Sequence, residues 1–223
     1  MSEPHLDPEL LRTEFLGLSV RYDDIDLPRE DLALFFAQEC GHYGLTRFEY
    51  LAEGGGAFSG GEGAEFALRP AGAASGGVIR LGIWEGSERI SGLLGEAIRR
   101  FSIGPMWIED VTLVAMWDSE LDDAGRQILA EEILRIDDDR LALVGDDDLS
   151  VGLRMWRSMG EGSIDISVEP MHADPAKLYL RLAYGQPDPV SDIAGILQAI
   201  DSLHEFLQGP LKAFVLAQAR RSG

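Results

Sequence analysis

The sequence predicts an α+β protein made of two copies of one β-α-β-β-β-α unit, with a largely antiparallel sheet and its helices on one face. Three observations lead there. Strand-like segments recur in the same order in the two halves of the 223-residue chain. Their apolar residues alternate at period two, which places them on one side of a sheet. Stretches with a 3.6-residue period fall between and after them, and these need an apolar sheet face to cover.

The first copy spans residues 1–104. Its opening strand is Gly17-Leu-Ser-Val-Arg-Tyr-Asp23, followed by a helical stripe of Leu32, Phe35, Phe36 and Tyr43. Glu65–Pro70 and Val78–Trp84 read as further strands, and Ile90, Leu93, Leu94, Ala97, Ile98 and Phe101 as the closing helix. Between them, Gly54, Gly55, Gly56, Gly60, Gly61 and Gly63 suggest a flexible hairpin loop. The second copy spans residues 105–223. Thr112–Asp118 resembles Gly17–Asp23, because both alternate and end in an aromatic and an acid. A weaker helical stripe, Ile128, Glu132, Ile133 and Ile136, follows. Asp165–Pro170 matches Glu65–Pro70, and Leu178–Tyr184 matches Val78–Trp84. The last helix carries Ile193, Leu197, Ile200, His204 and Leu207, is expected to break at Gly209-Pro210, and resumes with Leu211, Phe214 and Val215. About eight strands are expected, in one sheet.

Charge and composition narrow the function classes. The net charge of −20 repels a phosphate backbone, so nucleic acid is not an expected partner. Residues 109–150 hold 14 acidic and 3 basic residues, which makes this stretch a candidate acidic surface. The longest apolar run, Val111–Trp117, is too short to span a bilayer, and the acidic N-terminus lacks a signal-peptide layout, so a cytoplasmic location is expected. Arginine far outnumbers lysine amid abundant glycine and alanine, a bias of GC-rich bacterial genomes. The single cysteine, Cys40, forms no internal disulfide and reads as a small buried hydrophobe.

No motif commits the chain to a reaction: there is no nucleophile elbow, zinc-protease helix or phosphate loop. The triplets Asp137–Asp139 and Asp146–Asp148 read as solvated charge runs, because neighbours on an extended loop point apart. His204 lies on the apolar stripe of the last helix and reads as a core histidine. No catalytic residue, metal ligand or cofactor is expected. The polar sheet face says more. It should carry Arg21, Arg47, Glu49, Glu65, Arg69, Asp165 and Glu169, together with the candidate binding residues Arg80, Trp84, Arg154, Trp156, Tyr179 and Arg181. Arginine, tryptophan and tyrosine are enriched at binding hot spots. The plainer alternative is a solvated sheet with cross-strand arginine–carboxylate pairs.

Residues 150–214 resemble a sporadically distributed bacterial family of uncharacterised proteins. The resemblance rests on Val151-Gly-Leu-Arg154, Ile166-Ser-Val-Glu-Pro170, Asp174-Pro-Ala-Lys-Leu-Tyr-Leu180 and a closing helix with Leu203, His204 and Phe206. It brings no catalytic residues with it. The duplicated plan is similar to the TATA-binding-protein-like saddle and to the SOUL-type effector-binding fold, an analogy of architecture alone. Two functions are expected to compete, ahead of an enzyme using His204 or a carboxylate as a general base, whose partner groups nothing in the sequence supplies. One is a non-enzymatic module that binds a protein partner through the sheet face or the acidic surface. The other is a small-molecule sensor with a ligand cleft between the repeats.

Overall fold

The computed structural model describes residues 6–119, 128–136 and 151–219. One antiparallel sheet of nine strands organises them. In chain order these are β1 (Leu6–Tyr22), β2 (Leu45–Tyr50), β3 (Gly56–Gly60), β4 (Glu65–Arg69), β5 (Gly72–Val78), β6 (Met106–Ser119), β7 (Leu153–Met159), β8 (Gly162–Met171) and β9 (Asp174–Gly185). Across the sheet the order is β2-β3-β4-β5-β1-β6-β9-β8-β7. The helices are α1 (Arg29–Gln38), α2 (Ile83–Phe101), α3 (Ile193–Phe206) and α4 (Lys212–Ala219), with a π-helical stretch at Ile128–Ile133. The break expected at Gly209-Pro210 is a π-helical turn, Leu207–Leu211, joining α3 to α4. The acidic triplets lie outside the described residues.

The period-two pattern holds in the buried face. Leu16, Leu18, Val20 and Tyr22 of β1 meet Leu113, Val111, Ile108 and Met106 of β6, and Leu178, Leu180, Leu182 and Tyr184 of β9 continue the layer. The helices pack on this side, α2 against β1 and β5, and α3 against β6 and β9. The buried residues of both halves form one cluster. Two polar tips on the buried face find backbone partners. The fully buried Trp117 donates its indole N–H to the Asp7 carbonyl at 2.7 Å, and the Tyr22 hydroxyl lies 2.8 Å from the Arg69 carbonyl and 2.9 Å from that of Gly72. Cys40 is buried as expected, and burial with Glu39 nearby pushes its thiol up to about 12. At neutral pH it carries no thiolate.

The first half departs from the expected unit in two ways. The glycine-rich segment is not simply a flexible loop. Gly56–Gly60 forms β3, with Phe58 buried and stacked on Phe48 at 5.1 Å and on Phe66 at 5.8 Å. Phe35 of α1 closes this aromatic layer from above, 5.5 Å from Phe58. The third strand also sits earlier than expected. β5 ends at Val78, and Ile83 already opens α2. The first half therefore has four strands after α1, and the sheet has nine strands rather than eight.

Gly55 makes the entry to β3 possible. Its φ of +93° suits glycine, and a Cβ there would fall 2.1 Å from the Leu68 carbonyl oxygen. Gly55→Ala is expected to cost more than about 1 kcal/mol, read as a lower denaturation midpoint at unchanged slope. Wild-type stability in this variant would mean that the segment is not held in the sheet.

Candidate functional site

The site follows from where β5 stops. Its last rung is the Ile79 N–H, which donates to the Glu14 carbonyl at 2.8 Å. The chain then turns at Gly82, with φ +100°, which caps α2. Glu85, in the first turn of α2, reaches back and accepts the N–H groups of Arg80 at 2.9 Å and Leu81 at 3.1 Å. These two bonds hold its carboxyl below the usual carboxylate range. The bonds fasten the two residues that precede the Gly82 cap to the first turn of α2, and the carboxylate charge suits the helix N-terminus. The clasp leaves Leu81 87% and Trp84 77% exposed, beside Val78 at 45%.

β1 does not stop where β5 does. It continues toward Leu6, pairing with β6 through Leu11↔Trp117, Arg12↔Met116 and Thr13↔Ala115. Among the described residues no strand flanks this stretch on its other edge, because the β1–β5 ladder begins at Phe15↔Val78. The gap is a cleft of about 670 Å³, lined by residues 11–14 of β1, the segment from Val78 to Trp84, His204 of α3 and Gln208. It therefore draws on both halves of the chain. Its size is that of many ligand sites.

The cleft's polar groups are unevenly satisfied. Arg12 is paired with Asp118, which also lies 3.5 Å from Lys177. His204 is half-buried, and among the described residues its Nδ1 finds no hydrogen-bond partner; nor does the buried Thr13 Oγ1. Burial pushes the His204 imidazole below its usual range, with Asp201 and Glu205 opposing. The expected core histidine is thus a cleft residue with an unfilled ring nitrogen. Arg89 of α2 is 8% exposed, lies against Gly77, and among the described residues has no hydrogen-bond partner at Nε or Nη2. Burial lowers its pKa, against the pull of Glu85.

The six candidate binding residues divide between two places. Arg154, Trp156, Tyr179 and Arg181 share the sheet face opposite the helices. Arg154 and Arg181 flank Ser167 in register, Trp156 faces Asp165, and Tyr179 faces Glu169. Arg154 holds Asp165 through Nε at 3.0 Å and Nη2 at 2.6 Å, keeping that carboxyl below its usual range, and lies over Trp156 at 5.0 Å. The arginine–carboxylate pairing expected of a solvated sheet is therefore present here. Arg80 and Trp84 do not join this face. Arg80 is in the β5–α2 connection and Trp84 in the first turn of α2, both lining the cleft, because the Gly82 cap and the Glu85 clasp override the strand-like alternation. Sequence reasoning missed Leu81, Thr13 and Arg12. The Gly82-x-x-Glu85 spacing ahead of the Ile90 stripe is the signal that marks the helix start.

Among the described residues no group of three or more His, Cys, Asp or Glu side chains is placed to hold a metal ion, and no helix is long and apolar enough to cross a membrane. No family model matches the chain, and no curated protein matches it significantly.

The depressed His204 pKa gives a pH prediction. Between the folded value and the ordinary 6.5, the unfolded chain binds more protons than the folded one. This contribution is complete above the unfolded pKa and is lost as pH falls through the folded one. Wild type is expected to lose stability relative to His204→Gln as pH falls from about 8 to about 5. Parallel stability curves for the two proteins would show that His204 is solvated.

Proposed function

We propose that this protein is a non-enzymatic binding module whose protein partner docks in the cleft between β1 and the start of α2. One observation carries the reading: Val78, Leu81 and Trp84, three strongly exposed apolar side chains, crowd one rim of the cleft. Exposed apolar area of this kind is a liability unless something covers it. Trp84 supplies a residue type typical of hot spots. The sheet face offers a weaker case, because Arg154 is already engaged by Asp165 and Trp156.

The two halves are read as copies of one β-α-β-β-β-α plan, with β3 added to the first. The support is topological. β1 and β6 lie side by side, each followed outward by the last strand of its own half, β5 and β9, and then by the strand before that, β4 and β8. On this reading the cleft sits on the seam between the repeats. That position also favours a second reading, in which a small effector occupies it; duplicated folds place ligands at such seams.

A photo-crosslinking side chain introduced at Leu81 tests the first reading in the native host. The expected result is a discrete protein adduct, lost when Trp84→Ala is added, while a crosslinker at Trp156 gives none. An adduct at Trp156 alone would move the site back to the sheet face. A small molecule retained by protein purified from its host, without any adduct at Leu81, would favour the effector reading.

A further inference from the structure

We infer that the partner binds by strand addition: an extended, apolar segment of a net-basic protein pairs with the edge of β1 that no strand flanks among the described residues, continuing the line of β5. This rests on the cleft reading above and specifies its chemistry.

The argument starts from backbone hydrogen bonds. A strand flanked on one side only presents a row of donors and acceptors to whatever lies on the other. Beyond Phe15, β1 has β6 on one edge and, among the described residues, no strand on the other. The four residues Leu11 to Glu14 that line the cleft extend about 13 Å at roughly 3.3 Å per residue. The last existing rung, Ile79 N–H to Glu14 carbonyl, sets the antiparallel direction in which a new strand would continue.

The sheet's outer edges look different. β2 carries Arg47 and Glu49, and β7 carries Arg154 and Arg157, the charged side chains that blunt an edge against pairing. The edge at the cleft also carries two charged residues, Arg12 and Glu14, but it differs in being rimmed by the exposed apolar side chains of Leu81 and Trp84. Two buried polar atoms in the cleft wall, Thr13 Oγ1 and His204 Nδ1, have no partner among the described residues, and an incoming backbone or hydroxyl can supply one. Apolar side chains alternating along the added strand would cover the exposed rim. The chain's charge of −20 favours encounter with a net-basic partner at long range, an effect that falls off with salt, while the cleft lining itself carries Arg12, Arg80 and Glu14 and leaves the pairing segment to be chosen by its apolar side chains.

The probe is a capped peptide, Lys-Lys-Val-Thr-Val-Thr-Val-Lys-Lys, in three forms: unmodified, and with N-methyl groups on alternate central amides of one edge or of the other. N-methylation removes donors from one edge while keeping every side chain. The expected result is saturable micromolar binding of the unmodified peptide that weakens with salt, is retained by one methylated form and is lost by the other. Trp84→Ala and Leu81→Ser should each weaken binding by tenfold or more, with circular dichroism unchanged. Equal binding of all three forms overturns strand addition but leaves the cleft as the site. Binding that neither variant affects places the peptide on another edge and overturns the inference. Absence of binding by the unmodified peptide overturns it too, while the crosslink at Leu81 independently decides whether the cleft is used.

Discussion

The antiparallel pairing of β1 with β6 is the constraint from which the remaining structure is built. It runs from Leu6↔Ser119 to Tyr22↔Met106 and joins the two halves of the chain into one sheet. Its buried face supplies Leu16, Leu18, Val111, Leu113 and Trp117, over which α2, α3 and α4 are laid. A sheet edge inside a molecule has to be paired or covered. β6 meets this along β9, but β5 is shorter than β1. The cleft is what that difference in length leaves behind, with Trp117 anchoring the far end of β1 through Asp7.

The period-two and 3.6 patterns made much of this legible in the sequence. β6, β8, β9 and the core half of β1 were readable because each offers one apolar face, and α2 and α3 because their stripes are long. β3 was not, since its glycines hide the alternation, and Phe58 alone carries its burial. The stretch from Val78 to Trp84 misled for the opposite reason. It alternates well enough to resemble a strand, yet a cap at Gly82 and two hydrogen bonds to Glu85 outweigh that pattern. Local hydrogen bonding at a helix start is worth about 1 kcal/mol or more, enough to decide between two marginal states.

The candidate site was legible only in part. Arg80 and Trp84 were singled out by residue type, and they do line the cleft. Their grouping with Arg154, Trp156, Tyr179 and Arg181 failed because it assumed a shared strand face. No periodicity reports where β5 ends relative to β1, which is a property of the assembled sheet. His204 shows the same limit: the helical stripe placed it on the inner face of α3, but only the assembled fold brings it into the lining of one cleft with Thr13 and Gln208.

Amide hydrogen exchange in the free protein, resolved residue by residue along β1, tests the account most directly. The edge between Leu10 and Thr13 is open in this account, so amides on the cleft side of that stretch should exchange orders of magnitude faster than those of Leu16 to Val20, which lie between two strands. Uniform protection from Leu10 to Val20 would contradict it, because some other part of the chain would then already occupy the edge on which the proposed partner depends.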